Sequence, residues 1–218
     1  MNGESPATTP PAQVSFAPGT RFRFASENYS VIQQIAADMT GEPFDTTLRS
    51  LVGEPLGLTR TGAYQTLPPN RRATAATGHD ETGAPLPGGW RVYPEVAASG
   101  IWTTPREYAV FLTEVLRAMA GKSSKLLNPE TAKLLRQSVA RDDDSEQTMG
   151  FGIYERNDVP FLFRGGNTAG YYCHLDADWE QGNAIIVFAN GNLCWRLANE
   201  VRDAVGRAEG FRGFVSER

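Results

Sequence analysis

The chain has 218 residues, the size of one ordinary domain and enough to bury most of its own apolar surface without disulfide staples. Lys and Arg number 21 against 25 Asp and Glu, a net charge of −4; with no clustered basic stretch, nucleic acid and an anionic membrane surface are excluded as main partners. Hydrophobic residues at 40% and charged residues at 21% exclude general disorder, and the longest apolar run, 184–189, is far too short to span a bilayer.

The opening residues 1–11 have neither a basic start nor an apolar stretch. They read as exposed loop rather than a signal peptide, and the expectation is a cytoplasmic location as expressed. Tyr29 to Thr40 places Ile32, Ile35, Ala36 and Met39 on one helical face and stops at Gly41. A shorter helix is expected from Pro43 to Val52 with Phe44, Leu48 and Leu51 inward. Residues 62–100, rich in Gly, Pro, Ala and Thr, read as a long ordered excursion of the functional kind.

The next helix is the best signalled. Thr104 caps it, Pro105 takes its first position, Glu107 completes a capping box, and Gly121 ends it. Its inward stripe is Tyr108, Phe111, Leu112, Val115, Leu116 and Met119. Asn128 and Pro129 repeat the cap-then-proline signal for a short helix to about Ser138, and Asp142, Asp143 and Asp144 read as a solvated acidic turn. The period then becomes two. Met149 to Arg156, Pro160 to Arg164, Tyr171 to Asp178 and Asn183 to Asn190 read as strands whose short connections require an antiparallel sheet. A last helix from Leu193 to about Ala208 is expected to pack on that sheet through Leu197, Val201 and Val205. The whole is a single α+β domain, helical and loop-rich over 1–145 and formed of antiparallel strands with a closing helix over 146–218. Cys173 and Cys194 lack metal-site spacing and read as buried free thiols.

Four segments, in this order, carry a resemblance: PGTRFRFASENYSVIQQIAADMTGEPF, EPLGLTRTGAY, GGWRVYPEVAASGIWTTPREYAVFL and FRGGNTAGYYC. Together they resemble the serine β-lactamase-like family of class C β-lactamases, D-alanyl-D-alanine peptidases and related esterases, over nearly the whole chain from about Asn2. The resemblance implies an antiparallel sheet flanked by helices, a mostly helical region, and an active site at their junction. It also implies three motifs. A Ser-x-x-Lys puts nucleophile and proton acceptor one turn apart; the lysines are Lys122, Lys125 and Lys133, and three places before them stand Met119, Lys122 and Glu130. In relatives that motif lies upstream of PGTRF, so the chain reads as a truncated member. At the family's Tyr-x-Asn place stand Phe24, Ala25 and Ser26, a ring without a hydroxyl to carry a proton. At the Lys/His-x-Gly place stand Arg164, Gly165 and Gly166, a charge and a fork for a carboxylate or phosphate that cannot act as a base near neutral pH.

Further candidates compete with plain structural roles. Arg164 is either an anion-binding edge or a solvated charge at a strand end. His174, Asp176 and Asp178 alternate onto one strand face, which is either an uncovered wet surface or a set suited to a divalent metal such as zinc that activates water. His79-Asp80-Glu81 would add a ligand if its loop folded over the sheet. Trp90, Tyr93 and Trp102 either line a substrate pocket or pack their own loop, and Tyr171 or Tyr172 could supply a phenol near Arg164. The functional expectation is a degenerate family hydrolase without serine acyl-enzyme chemistry acting on a small molecule. The alternatives are ester or phosphoester hydrolysis by other means, and a binding or assembly module. Without the family's amino-terminal strands the strand 183–190 would expose an edge, which predicts a homo-oligomer.

Overall fold

The computed structural model describes residues 13–141 and 145–215; the readings placed on 1–11 and on Asp142 to Asp144 lie outside them. In chain order the helical part comprises α1 (Glu27–Thr40), α2 (Phe44–Leu48), a π-helical turn (Arg49–Gly53), α3 (Glu54–Leu56), α4 (Pro69–Arg72), α5 (Val96–Ser99), α6 (Pro105–Met119) and α7 (Pro129–Leu134). Between them β1 (Gly62–Ala63) and β2 (Ile101–Trp102) form a small antiparallel pair. The main sheet is β3 (Ala140–Arg141), β4 (Glu146–Gln147), β5 (Gly152–Arg156), β6 (Val159–Thr168), β7 (Tyr171–Asp178) and β8 (Asn183–Ala189) in sequential antiparallel order. Helix α8 (Trp195–Ala208) closes the chain. The sheet thus begins at Ala140, before the expected boundary at 146.

Local chemistry accounts for the ends of α6 and α7. The Thr104 hydroxyl accepts from the Glu107 N–H at 3.2 Å, and the Asn128 amide oxygen accepts from the Thr131 N–H at 2.7 Å, each satisfying an orphan helix donor. The capping box is only half made. The Glu107 carboxylate turns outward and accepts from the Arg60 N–H at 2.9 Å and the Thr61 hydroxyl at 2.6 Å, tying the turn before β1 to α6. Thr104→Ala should therefore lower the unfolding free energy by about 1 kcal/mol, the usual cost of an N-cap, as read by urea titration.

The sheet separates two apolar layers. On one face Leu162, Leu175 and Ala177 pack beneath Leu112, Val115, Leu116 and Met119 of α6 and Ala132 of α7. On the other, Phe161 and Ile185 meet Val159 and Phe214 under the chain's last turns. The alternation of Phe161 with Leu162, two fully opposed directions on neighbouring residues, places the pleat between the layers.

Two apolar helical stripes are not buried, of which the sequence predicts packing on the sheet only for that of α8. On α1, Ile32, Ile35 and Met39 are at least 50% exposed, together with Val31; the helix runs to its left-handed cap at Gly41 but packs on α5 and α2 with little of its apolar face. On α8, Leu197, Val201 and Val205 are exposed and Ala198 and Gly206 are buried instead. The small residues let α8 lie close on β7 and β8, and they turn Arg202 toward the sheet. Leu51 is likewise exposed, because a π-helical turn rather than a continuous helix carries it. Among the described residues no helix is long and apolar enough to cross a membrane.

Candidate functional site

Arg164 stands where the helical part meets the sheet. It stands within β6, which continues to Thr168, so it is not the strand-end charge that its glycine neighbours suggest. Register pairs Arg164 with Leu175 and Gly166 with Cys173, putting Arg164 on the α6 side of the sheet. Gly166 is required by close approach: a Cβ there would stand 2.9 Å from the Cys173 sulfur. From the helical part, the first turn of α1 brings Tyr29, whose hydroxyl accepts from an Arg164 guanidinium N–H at 2.5 Å. The guanidinium carbon lies 5.3 Å from the Tyr29 ring centre and 5.4 Å from that of Phe24. Both are cation–π distances, so the cation is fixed in place while Phe24 stays 60% exposed. Ser26 occupies the N-cap position of α1 without a side-chain cap hydrogen bond, and it is exposed.

Below Arg164, Tyr108 of α6 packs against Phe111 and against Phe188 of β8. Burial, opposed by the Arg164 charge, pushes the Tyr108 phenol up to about 12, so it is protonated at neutral pH. Burial also raises the Cys173 thiol, again against Arg164. Cys173 and Cys194 are both free and partly buried. The phenols near the guanidinium are therefore Tyr29 and Tyr108. Neither residue suggested by the sequence serves: Tyr171 donates its hydroxyl to the Ala76 carbonyl at 2.7 Å, and Tyr172 lies on the opposite sheet face, stacked on His174. The sequence offers Tyr29 only as the start of a helix, since the side chain that gives it a role stands 135 residues away.

At the end of the β6–β7 hairpin a cavity of about 350 Å³ is lined by Glu81, Tyr93, Ser99, Asn167, Thr168 and Asn192, among others. Tyr93 is held there by accepting from the Ala169 N–H at 3.1 Å. Trp90 is not brought to this cavity; it packs edge-on against Trp102, which packs in turn on Tyr171.

His174, Asp176 and Asp178 do share one face, as their alternation requires, but that face is covered by α8 and the residues after it. Asp176, fully buried, lies 2.9 Å from the His174 Nε2 and 3.5 Å from the Arg202 guanidinium. Asp178 accepts both branches of Arg212 and also the N–H groups of Glu180 and Gln181, which makes it the anchor of the following turn. Burial works to raise the Asp178 carboxyl, and the Arg212 fork outweighs it, so the group sits below the usual carboxylate range. The metal-set expectation is thus corrected: the two carboxylates are turned to separate arginines. Among the described residues no group of three or more His, Cys, Asp or Glu is placed to hold a metal ion. His79 joins a different place, with its Nδ1 2.9 Å from the Asn190 carbonyl beyond the end of β8. Asp80 closes its own turn on Thr82 and Ala84.

A family model described as Beta-lactamase matches residues 6–205. Penicillin-binding protein 4 of Amycolatopsis lactamdurans is 25% identical over 212 residues, covering 89% of this chain and 54% of its own length. The solved structure of a β-lactamase/D-alanine carboxypeptidase from Pseudomonas syringae superposes with a TM-score of 0.73 at 18% identity, over 92% of this chain and 62% of that one. A penicillin-binding protein from Bacillus halodurans follows at 0.72 and 20%, over 89% and 59%. The chain therefore spans about half to three fifths of the length of these proteins.

Proposed function

The chain belongs to the beta-lactamase family, and from that premise we propose that these 218 residues form a hydrolase-like module. It binds a small anionic molecule in the family cleft without performing the family's serine acyl transfer by itself. The observation that carries this reading is the fixed guanidinium of Arg164 between Phe24 and Tyr29. A planar, permanently charged fork held by a phenol suits a carboxylate or phosphate on the ligand.

The acyl-transfer step lacks its parts along this chain. No lysine follows a serine by three places, the ring at position 24 has no hydroxyl, and Arg164 cannot accept a proton. Tyr108 keeps its proton at neutral pH and so can donate a hydrogen bond but not act as a base. Losing the nucleophile alone removes nearly all rate in serine hydrolases. The polar cavity with Tyr93, Asn167 and Thr168, about 10 Å farther along β6 at the usual strand rise, gives room for the uncharged end of such a ligand.

Intact mass after incubation with a fluorophosphonate probe and with benzylpenicillin tests the reading. The expected result is an unmodified chain. A covalent adduct on any serine would overturn it.

A further inference from the structure

The cavity at the end of the β6–β7 hairpin is polar enough to select its occupant. Small-molecule cavities are mostly lined by apolar side chains with a few placed polar groups. Here Ala169 and Leu193 are the apolar members, and the side chains of Glu81, Tyr93, Ser99, Asn167, Thr168 and Asn192 can all hydrogen-bond. Two of these are oriented by the fold. The Tyr93 oxygen accepts from the Ala169 N–H at 3.1 Å, which leaves the phenol proton to be donated to another group. The Asn192 amide oxygen accepts from the Gly170 N–H, which sets its NH2 group as a donor. The Asn192 main chain is itself pinned, its N–H donating to the His79 carbonyl at 3.1 Å. Among the described residues nothing bonds to the Glu81 carboxylate or to the Ser99 and Thr168 hydroxyls.

We propose that this cavity takes a monosaccharide ring, so that the ligand of the chain is a glycoside of a small acid. The inference rests on the reading of Arg164 as the holder of the acid group, and it names what the other end carries. Hydrogen-bond chemistry decides between occupants. An ammonium group has donors alone and leaves the fixed Tyr93 and Asn192 donors unmet. A peptide unit offers one donor and one acceptor, too few for the groups that converge here. Sugar hydroxyls each donate and accept, and two neighbouring ones can donate to both oxygens of one carboxylate, the part that Glu81 is free to play. Size limits the occupant to one ring, because about 350 Å³ lies near the lower bound of roughly 300 Å³ for ligand cavities. Spacing sets the linker. Asn167 and Thr168 stand three and four residues beyond Arg164 on β6, about 10–13 Å at the usual strand rise, a span that a benzoate spacer bridges.

Calorimetry with the 4-carboxyphenyl β-D-glucoside, β-D-galactoside and α-D-mannoside against 4-methoxybenzoate tests this, since each glycoside adds a sugar to the same acid. At least one glycoside should bind about tenfold tighter or more, the equivalent of one or two net hydrogen bonds. Glu81→Ala, at an exposed position, should reduce that ratio to within about twofold, and Ser99→Ala should reduce it about threefold. If no glycoside binds more tightly than 4-methoxybenzoate, or if the ratio survives both variants, the saccharide inference is overturned while the Arg164 reading stands. The methyl ester of the tightest glycoside separates the opposite case. An ester that binds as well as its acid, with the Glu81 dependence intact, would overturn the Arg164 reading and leave the saccharide site. A chain that binds neither acids nor ester would overturn both.

Discussion

Asp176→Ala should lower the unfolding free energy by about 3 kcal/mol, the low end of the cost of removing one partner from a buried ion pair. The carboxylate is fully buried, and the substitution strands the Arg202 guanidinium and the His174 ring between β7 and α8. The low end applies because Arg202 keeps a second partner, the Asp203 carboxylate at 2.8 Å. Asp176→Asn retains the shape and one acceptor and should cost roughly half as much. Glu180→Ala, whose partner Arg212 is shared with Asp178 and whose side chain is half exposed, should cost less than about 0.5 kcal/mol. Urea titration of the three variants ranks them, and a loss under about 1 kcal/mol for Asp176→Ala would show that the network does not hold α8 to the sheet. The same network sets an acid limit. Hydrogen bonding from Arg156 first, and then from Arg202, pulls the Asp203 carboxyl down to about 2 against its burial, and Asp178 is lowered as well. A carboxyl lowered by folding stabilises the native state above its unfolded pKa of about 4. That contribution should therefore be intact at neutral pH and fade as pH falls from about 4 toward 2.

Most elements whose signals are local were legible from the residues. The Thr104 cap, the proline behind it and an apolar stripe with 3.6-residue spacing specify α6 because all three act within one helix. The change to period two likewise marks β5 to β8. What periodicity does not carry is the identity of the covering layer. The apolar stripes of α1 and α8 are both present, yet that of α8 does not pack on the sheet as its spacing predicts, because among the described residues little covers it. The strand through Arg164 runs past its expected end to Thr168 for a related reason. Gly165 and Gly166 weaken the strand signal, while the ladder with Cys173 and His174 that carries β6 through them depends on a neighbouring strand. The face shared by His174, Asp176 and Asp178 was visible in the alternation, yet its chemistry was not. The arginines that claim the two carboxylates stand on and beyond α8, and Arg212 is 34 residues from Asp178. The Tyr29 contact to Arg164 spans 135 residues and leaves no trace in either local pattern.

Arg164→Ala should weaken binding of a small carboxylate ligand by about tenfold or more, the equivalent of one charge-assisted hydrogen bond. N-acetyl-D-alanyl-D-alanine and its methyl ester make the comparison direct, since they differ at the charged end alone. Calorimetry on the wild-type chain should favour the acid, and the alanine variant should bind acid and ester alike. Arg164→Lys keeps the charge but loses the planar fork and the contact with two ring faces, so its affinity should fall between the two. Tyr29→Phe removes only the hydroxyl that accepts from the guanidinium and should cost the acid about threefold, with the ester unaffected. Phe24→Tyr places a phenol beside Arg164, yet under the proposed reading it should leave the chain unlabelled by benzylpenicillin, because no lysine follows a serine by three places in these 218 residues for a proton carrier to serve. Equal affinity for acid and ester in the wild-type chain would remove Arg164 from the binding surface. Its guanidinium would then be a structural clasp that holds the first turn of α1 against β6, and its loss would register in stability rather than in binding.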